Sequence, residues 1–154
     1  MALSDASIRR LALIGELGID PFDNSKLQPA GYDLRSAEEI TLRPKEQRLV
    51  ATLESIKLSP SLLGILHLKS SFVREGILAG LALVDPGFIG QLTVSLLNVS
   101  EEAVEIDHGE PFLQLTLIML SSKAERPYRG RYHESTGVTE SKRTARVKKL
   151  ANEA

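Results

Sequence analysis

"LVDPGFIGQLTVSLLN", residues 83–98, is the stretch on which the reading of the fold turns. After Gly90, Leu92, Val94 and Leu96 alternate with Gln91, Thr93 and Ser95, the period-2 pattern of a strand that buries one face. Just before it, Asp85 stands between an apolar run, 77–84, broken only by Gly80, and a Pro-Gly turn. A carboxylate in that setting loses hydration, so it needs a partner, a nearby metal or a chemical task.

Outward from this strand, the text from 32 to 120 is a series of short runs rich in Leu, Ile and Val. They are punctuated by "RPKEQ", "SPS", "DPG", "NVSEE" and "DHGEP", the spacing of an all-β sandwich or barrel. Upstream, "SDASIRRLALIGELGI" predicts a short helix within 1–18, capped by Ser4 or Asp5, with Ile8, Leu11, Ala12 and Ile14 at helical spacing and Gly18 as its stop. Downstream, 128–154 loses apolar periodicity and reads as an arm followed by a basic tail, a solvated end, a docked helix or part of a lid. No repeat or linker splits the chain, so 1–154 is expected to be one domain, mainly β, with the strand count of a jelly roll.

Composition narrows the function classes. With 154 residues, 42% of them hydrophobic, the chain can bury a real core. Twenty acidic residues against 19 basic ones leave no global field pointing to nucleic acid or a membrane surface. No apolar run is long enough to span a bilayer and no secretory pattern opens the chain, so a soluble, cytoplasmic protein is expected. The absence of cysteine removes disulfides, thiol nucleophiles and cysteine-bound zinc. His67, His108 and His133 are too scattered for a metal cluster, and a chain without Trp offers little for stacking single-stranded nucleic acid.

Four further stretches are polar or glycine-rich where plain structure would not require it. "AGYDLRSA" (30–37) sets Gly31 and Asp33 at a strand entrance. "LKSSFVREG" (68–76) offers two hydroxyls on a helical turn, with Lys69 and Arg74 as counter-charges for a phosphate; a plain serine-capped turn is the structural alternative. "GEPFLQL" runs from a turn into a strand on which Gln114 is the odd polar residue. "RYHESTG" (131–137) reads as a loop.

In this order "AGYDLRSA", "KSS", "VDPGFIG", "GEPFLQL" and "STG" resemble the motifs of the trimeric dUTPase and dCTP deaminase superfamily, from the opening helix to about residue 142. The resemblance implies a distorted jelly roll of the dUTPase-like β-clip kind, a homotrimer with active sites shared between subunits, and dUTP as substrate. It implies that Asp85 orients the water that attacks the α-phosphate, releasing dUMP and pyrophosphate. Phe88 would pack on the sugar, Lys69, Ser70 and Ser71 would hold the phosphates, and Gln114 and Asp33 would lie around them. Mg²⁺ would arrive on the triphosphate with no direct protein ligand, Asp33 being outer-sphere to it. Arg129, Arg131, Ser135, Thr136 and Gly137 would belong to an arm that closes over the nucleotide.

Some positions depart from the pattern. Lysine at 69, where arginine is usual, lacks the bidentate fork, which predicts that Asp33 finds another partner. An aromatic that would stack on the base is either Tyr132 or His133. The opening helix and Arg74 look like the deaminase branch, in which a glutamate on the strand after "DPG" activates water; that place is held by Ser95. A serine cannot take up a proton as a carboxylate does near neutral pH. The expected function is therefore dUTP diphosphatase. The alternatives are dCTP deaminase, a bifunctional enzyme, and an inactive nucleotide-binding regulator.

Overall fold

The computed structural model describes residues 1–143; most of the basic tail lies outside the described residues. Ser4 caps helix α1 (Asp5–Leu13), its hydroxyl accepting from the Ser7 N–H at 3.3 Å, and Ile8 is the residue α1 buries fully. The helix ends earlier than the sequence predicts. Its last turn closes over Ile14 and Gly15, and Gly18 already lies in strand β1 (Leu17–Asp20).

The remaining elements are β2 (Leu27–Gln28), β3 (Gly31–Arg35), β4 (Ile40–Leu42), β5 (Gln47–Leu58), β6 (Leu62–Leu68), α2 (Ser70–Arg74), β7 (Ile77–Gly80), β8 (Ile89–Asn98), β9 (Val104–Ile106) and β10 (Pro111–Met119), besides one short 3₁₀ turn at Asn24–Lys26. Two four-stranded sheets, β1-β5-β8-β7 and β2-β3-β10-β6, with the small pair β4-β9, make the distorted jelly roll. Every strand pairing is antiparallel. Alternation along β8 is strict, with Leu92, Val94 and Leu96 inward and Gln91, Thr93 and Ser95 on the other face. No helix among the described residues is long and apolar enough to cross a membrane.

Register breaks in β5 between Ala51 and Ser55, a bulge opposite β8 that carries Thr52 and Glu54 into the interior. Glu54 is fully enclosed, and its carboxylate accepts from the Arg35 N–H at 2.9 Å and from Arg35 Nε at 2.6 Å. Because Arg35 ends β3, this charge pair ties one sheet to the other. The hydrogen bond to Glu54 holds the Arg35 guanidinium pKa above its usual value.

The arm lies back along β8 of its own chain. Tyr128 N–H donates to Pro86 O at 2.7 Å, Glu134 N–H to Ile89 O at 2.7 Å, and Gln91 N–H to Ser135 O at 2.9 Å. Gln91 is the staple: Nε2 donates to Thr52 O at 2.8 Å in the bulge, while Oε1 accepts from Gly137 N–H at 2.6 Å. Gly90 permits this approach, since a Cβ there would stand 2.8 Å from Ser135 N.

Replacing Glu54 by alanine removes both hydrogen bonds its carboxylate accepts from Arg35, while the partly exposed guanidinium keeps Asp23 at 3.7 Å and Pro21 O at 3.3 Å; it is expected to cost about 1.5 to 3 kcal/mol in chemical denaturation. Removing the exposed Arg43–Glu46 pair by Arg43→Ala should change stability by less than about 1 kcal/mol. Gln91→Ala should speed amide exchange at Gly137 and proteolysis within 128–143, while β6 and β10 keep their exchange protection.

Candidate active site

Val84 is held by two backbone hydrogen bonds of 2.9 Å with Gly64. The chain then turns sharply: Phe88 N–H donates to Asp85 O at 3.0 Å, with Pro86 and Gly87 at the corners. Gly87 has φ +89°, the conformation that a type II turn demands at its third residue. This turn leaves Asp85 half-buried and packs Phe88 into the core. Among the described residues the Asp85 carboxylate has no hydrogen-bond or ion-pair partner in the chain.

Asp85 opens onto a cavity of about 510 Å³, whose wall also includes Gly80, Phe88, Ser95, Tyr132 and Ser135. It is the one charged residue on that wall among the described residues. The apolar segment 78–83 contributes Gly80, Ala82 and Leu83, a stretch able to offer a ligand backbone groups but no polar side chains. Ser95 lies half-buried on β8, between Leu49 of β5 and Gly80 of β7 in register. Its Oγ accepts from Gln47 Nε2 at 2.7 Å.

The two aromatic candidates of the arm separate. Tyr132 lines the large cavity, and its hydroxyl accepts from the Lys142 N–H at 3.0 Å, a bond that favours the phenolate and lowers the tyrosine pKa. His133 turns to a different hollow of about 200 Å³ beside Pro60 and Arg129. Its Nδ1 is enclosed without a partner among the described residues. Tyr128 stands between, 5.8 Å from the Phe88 ring and 6.2 Å from His133. Arg131 is spent within the arm, its guanidinium donating to Lys142 O at 3.0 Å, and Thr136 is exposed.

A second polar cluster forms on the other sheet. Leu68 pairs with Leu113 and Gln114 with Asp33, so Lys69 emerges beside Asp33. Lys69 Nζ reaches Asp33 Oδ2 at 2.6 Å, and Gln28 Nε2 donates to the same oxygen at 3.0 Å. Asp33 thus has the further partner expected of it, Gln28, but keeps Lys69 as well: the register brings the flexible lysine stem within reach, and the pair needs one contact and no fork. Asp33 is 4% exposed, and its Oδ1 is enclosed without a partner among the described residues. Ser70 and Ser71 open α2 as exposed hydroxyls. Arg74 does not pair with Glu75, its guanidinium instead donating to Ser70 O at 3.4 Å.

One chain thus assembles Asp85, Phe88, Tyr132 and Ser135 around a single cavity. Asp33, Lys69, Ser70, Ser71, Arg74 and Gln114 do not line it, and neither do Arg129, Arg131, His133, Thr136 or Gly137. The sequence reading missed Gln91, Thr93 and Gln47. The alternation of "QLTVS" signalled that Gln91, Thr93 and Ser95 share a face, though not that this face lines a cavity. No group of three or more His, Asp or Glu among the described residues could hold a metal ion.

Comparison with known proteins places this arrangement. A family model described as dCTP deaminase-like matches residues 35–120. The chain is 42% identical to a protein named dCTP deaminase from Thermococcus kodakarensis, over 93% of this chain and 99% of that one. It is 41% identical to the Pyrococcus furiosus protein of the same name, over 93% and 98%. A relative from Sulfolobus islandicus rod-shaped virus 1, named "Probable deoxyuridine 5'-triphosphate nucleotidohydrolase", is 34% identical over 90% and 97%. Among solved structures, the 2'-deoxycytidine 5'-triphosphate deaminase from Agrobacterium tumefaciens superposes with a TM-score of 0.68 at 18% identity, over 77% of this chain and 47% of that one. The EIAV dUTPase gives 0.58 at 22% identity, over 75% and 98%. The chain belongs to the dCTP deaminase-like family, within the superfamily that also contains the dUTPases.

Proposed function

We propose that the chain is a dUTP diphosphatase. The observation that carries this reading is the Asp85 carboxylate beside the buried Phe88 ring, among the described residues the single charged group on the cavity wall and without a partner there. In this reading Asp85 accepts a proton from water as the water oxygen bonds to the α-phosphorus. The bond from that phosphorus to the bridging oxygen of the β-phosphate breaks, and pyrophosphate leaves with its electron pair. Hydrolysis at phosphorus needs one such base. Deamination at C4 of cytosine needs water activated beside the base ring and a proton for the departing ammonia, and by the resemblance Ser95 holds the place of the deaminase branch's glutamate.

Phosphate charge would be met by Lys69, the Ser70 and Ser71 hydroxyls and the arm's Arg129, and by Arg131 only once its bond to Lys142 O is exchanged for the phosphate. Mg²⁺ carried on the triphosphate would neutralise phosphate charge. Asp33 does not suit the outer-sphere place that the resemblance gave it, since its Oδ1 is enclosed and its Oδ2 is taken by Lys69 and Gln28. Since the Lys69 cluster does not line the Asp85 cavity, the reading includes a homotrimer in which one subunit's phosphate residues complete a neighbour's site. The exposed Leu78, Leu81 and Leu83 beside β7 give such an interface apolar area. The reaction is expected to be cytoplasmic.

A second reading, dCTP deamination, is favoured by the names of the Thermococcus and Pyrococcus relatives, which support it better than they support dUTP hydrolysis. Incubation with Mg²⁺ and either dUTP or dCTP, with products resolved by anion exchange, separates the two. Conversion of dUTP to dUMP with dCTP intact is the expected result; formation of dUTP or dUMP from dCTP would establish deamination. Asp85→Asn should lower dUTP turnover by about 10²- to 10⁴-fold while dUMP still binds in calorimetry. Retained turnover would exclude Asp85 as the base.

A further inference from the structure

The arm closes on itself as well as on β8. The Lys142 N–H donates to the Tyr132 hydroxyl at 3.0 Å, and Lys142 Nζ donates to Arg131 O at 2.9 Å while lying 5.8 Å from the centre of the Tyr132 ring. The Arg131 guanidinium donates in return to Lys142 O at 3.0 Å. This clasp bounds the segment 133–141, from which Ser135, Thr139 and Ser141 stand on the cavity wall, as Tyr132 itself does. Between its ends the segment is held to β8 at two points. Gly137 N–H donates to Gln91 Oε1 at 2.6 Å and Thr139 N–H to Thr93 Oγ1 at 3.0 Å.

Both cations of the clasp rest on neutral carbonyl oxygens. Among the described residues neither Arg131 nor Lys142 has an ion-pair partner; the salt bridges there belong to Arg35, Arg43 and Lys69. The reciprocal bonds therefore hold two like charges, which repel, on one short piece of chain. Tyr132 feels them: the hydrogen bond from the Lys142 N–H lowers its pKa first, and the charges of Arg131 and Lys142 lower it further. A phosphate oxygen is a stronger acceptor for such donors than a carbonyl, because both partners of the bond are then ionised. A guanidinium can also take two phosphate oxygens at once.

We propose that the Arg131–Lys142 clasp is a latch on the cavity rim that a phosphate chain releases. The anion draws Arg131 from Lys142 O and Lys142 Nζ from Arg131 O. The Lys142 N–H then leaves the Tyr132 hydroxyl, and Thr139 and Ser141 move off the wall. Gln91 lies outside the clasp, so Gly137 keeps its bond to β8 and the arm swings without detaching. The entrance widens when a ligand bearing a phosphate chain arrives. The latch goes beyond the reaction proposed above, since hydrolysis and deamination both start from a nucleoside triphosphate and release needs neither.

Amide exchange of the full chain, followed by NMR with and without millimolar pyrophosphate at constant ionic strength, reads the latch with no turnover. Pyrophosphate should speed exchange at positions 139 and 142 about 5-fold and leave Gly137 within about 2-fold. Lys142→Gln should exchange fast at position 139 without pyrophosphate and change by less than about 2-fold when it is added. Lys142→Arg, which keeps a cation, should respond as the unchanged chain does. So should Arg126→Gln, which removes an exposed charge outside the clasp. Unchanged or slower exchange with pyrophosphate, an undiminished response in Lys142→Gln, a response lost in Lys142→Arg or Arg126→Gln, or an equal response to sodium chloride at the same ionic strength would overturn the proposal. If pyrophosphate loosens the arm of a chain that does not hydrolyse dUTP, the latch stands and the proposed reaction falls. Hydrolysis of dUTP without that loosening gives the converse.

Discussion

The buried charge pair between Glu54 and Arg35 is the constraint from which the rest of the structure follows. It joins β5 of one sheet to β3 of the other, and it exists because β5 bulges at 52–54. An enclosed carboxylate is tolerated only when it is paired and hydrogen-bonded. The Arg35 backbone and guanidinium together supply the donors. The bulge also turns the Thr52 carbonyl toward β8, where Gln91 takes it up and passes the connection to Gly137. From an inter-sheet ion pair the line of contacts thus runs to the arm that roofs the cavity.

That cavity is chemically sparse. Its wall is mainly apolar, a ladder of neutral hydroxyl and amide groups runs along β8, and Asp85 carries its charge. An apolar wall raises the cost of each polar group left unmatched. The family of the chain is established by its relatives. The Thermococcus and Pyrococcus names point to deamination and the viral name to dUTP hydrolysis.

The phosphate-binding candidates show a different physical arrangement. Asp33 is buried beneath Lys69, which neutralises it and is held by it, while Ser70 and Ser71 remain exposed above. A lysine gains fixed orientation from such a contact despite its flexible stem. The candidate polar groups are thus distributed over two sheets of one chain.

Much of the architecture was legible in the sequence because it is local. Period-2 alternation marked β8, the Asp-Pro-Gly-Phe stretch specified its turn through the backbone freedom of Gly87, and Ser4 announced α1. The motif order identified the superfamily, and Ser95 stood out against the deaminase pattern. The helix stop was misplaced because two glycines lie within reach of it and only packing distinguishes them. What the sequence by itself determined is therefore the strand pattern, the turn that presents Asp85, and the residue types available for chemistry. The tertiary structure alone decided which groups meet: Lys69 with Asp33 across 36 positions, Gln47 with Ser95 across 48, Tyr132 rather than His133 at the cavity. The reason is register. A bulge or a one-residue slip changes every cross-strand partner while leaving the local pattern intact, so pairings between distant residues are settled only when the sheets close.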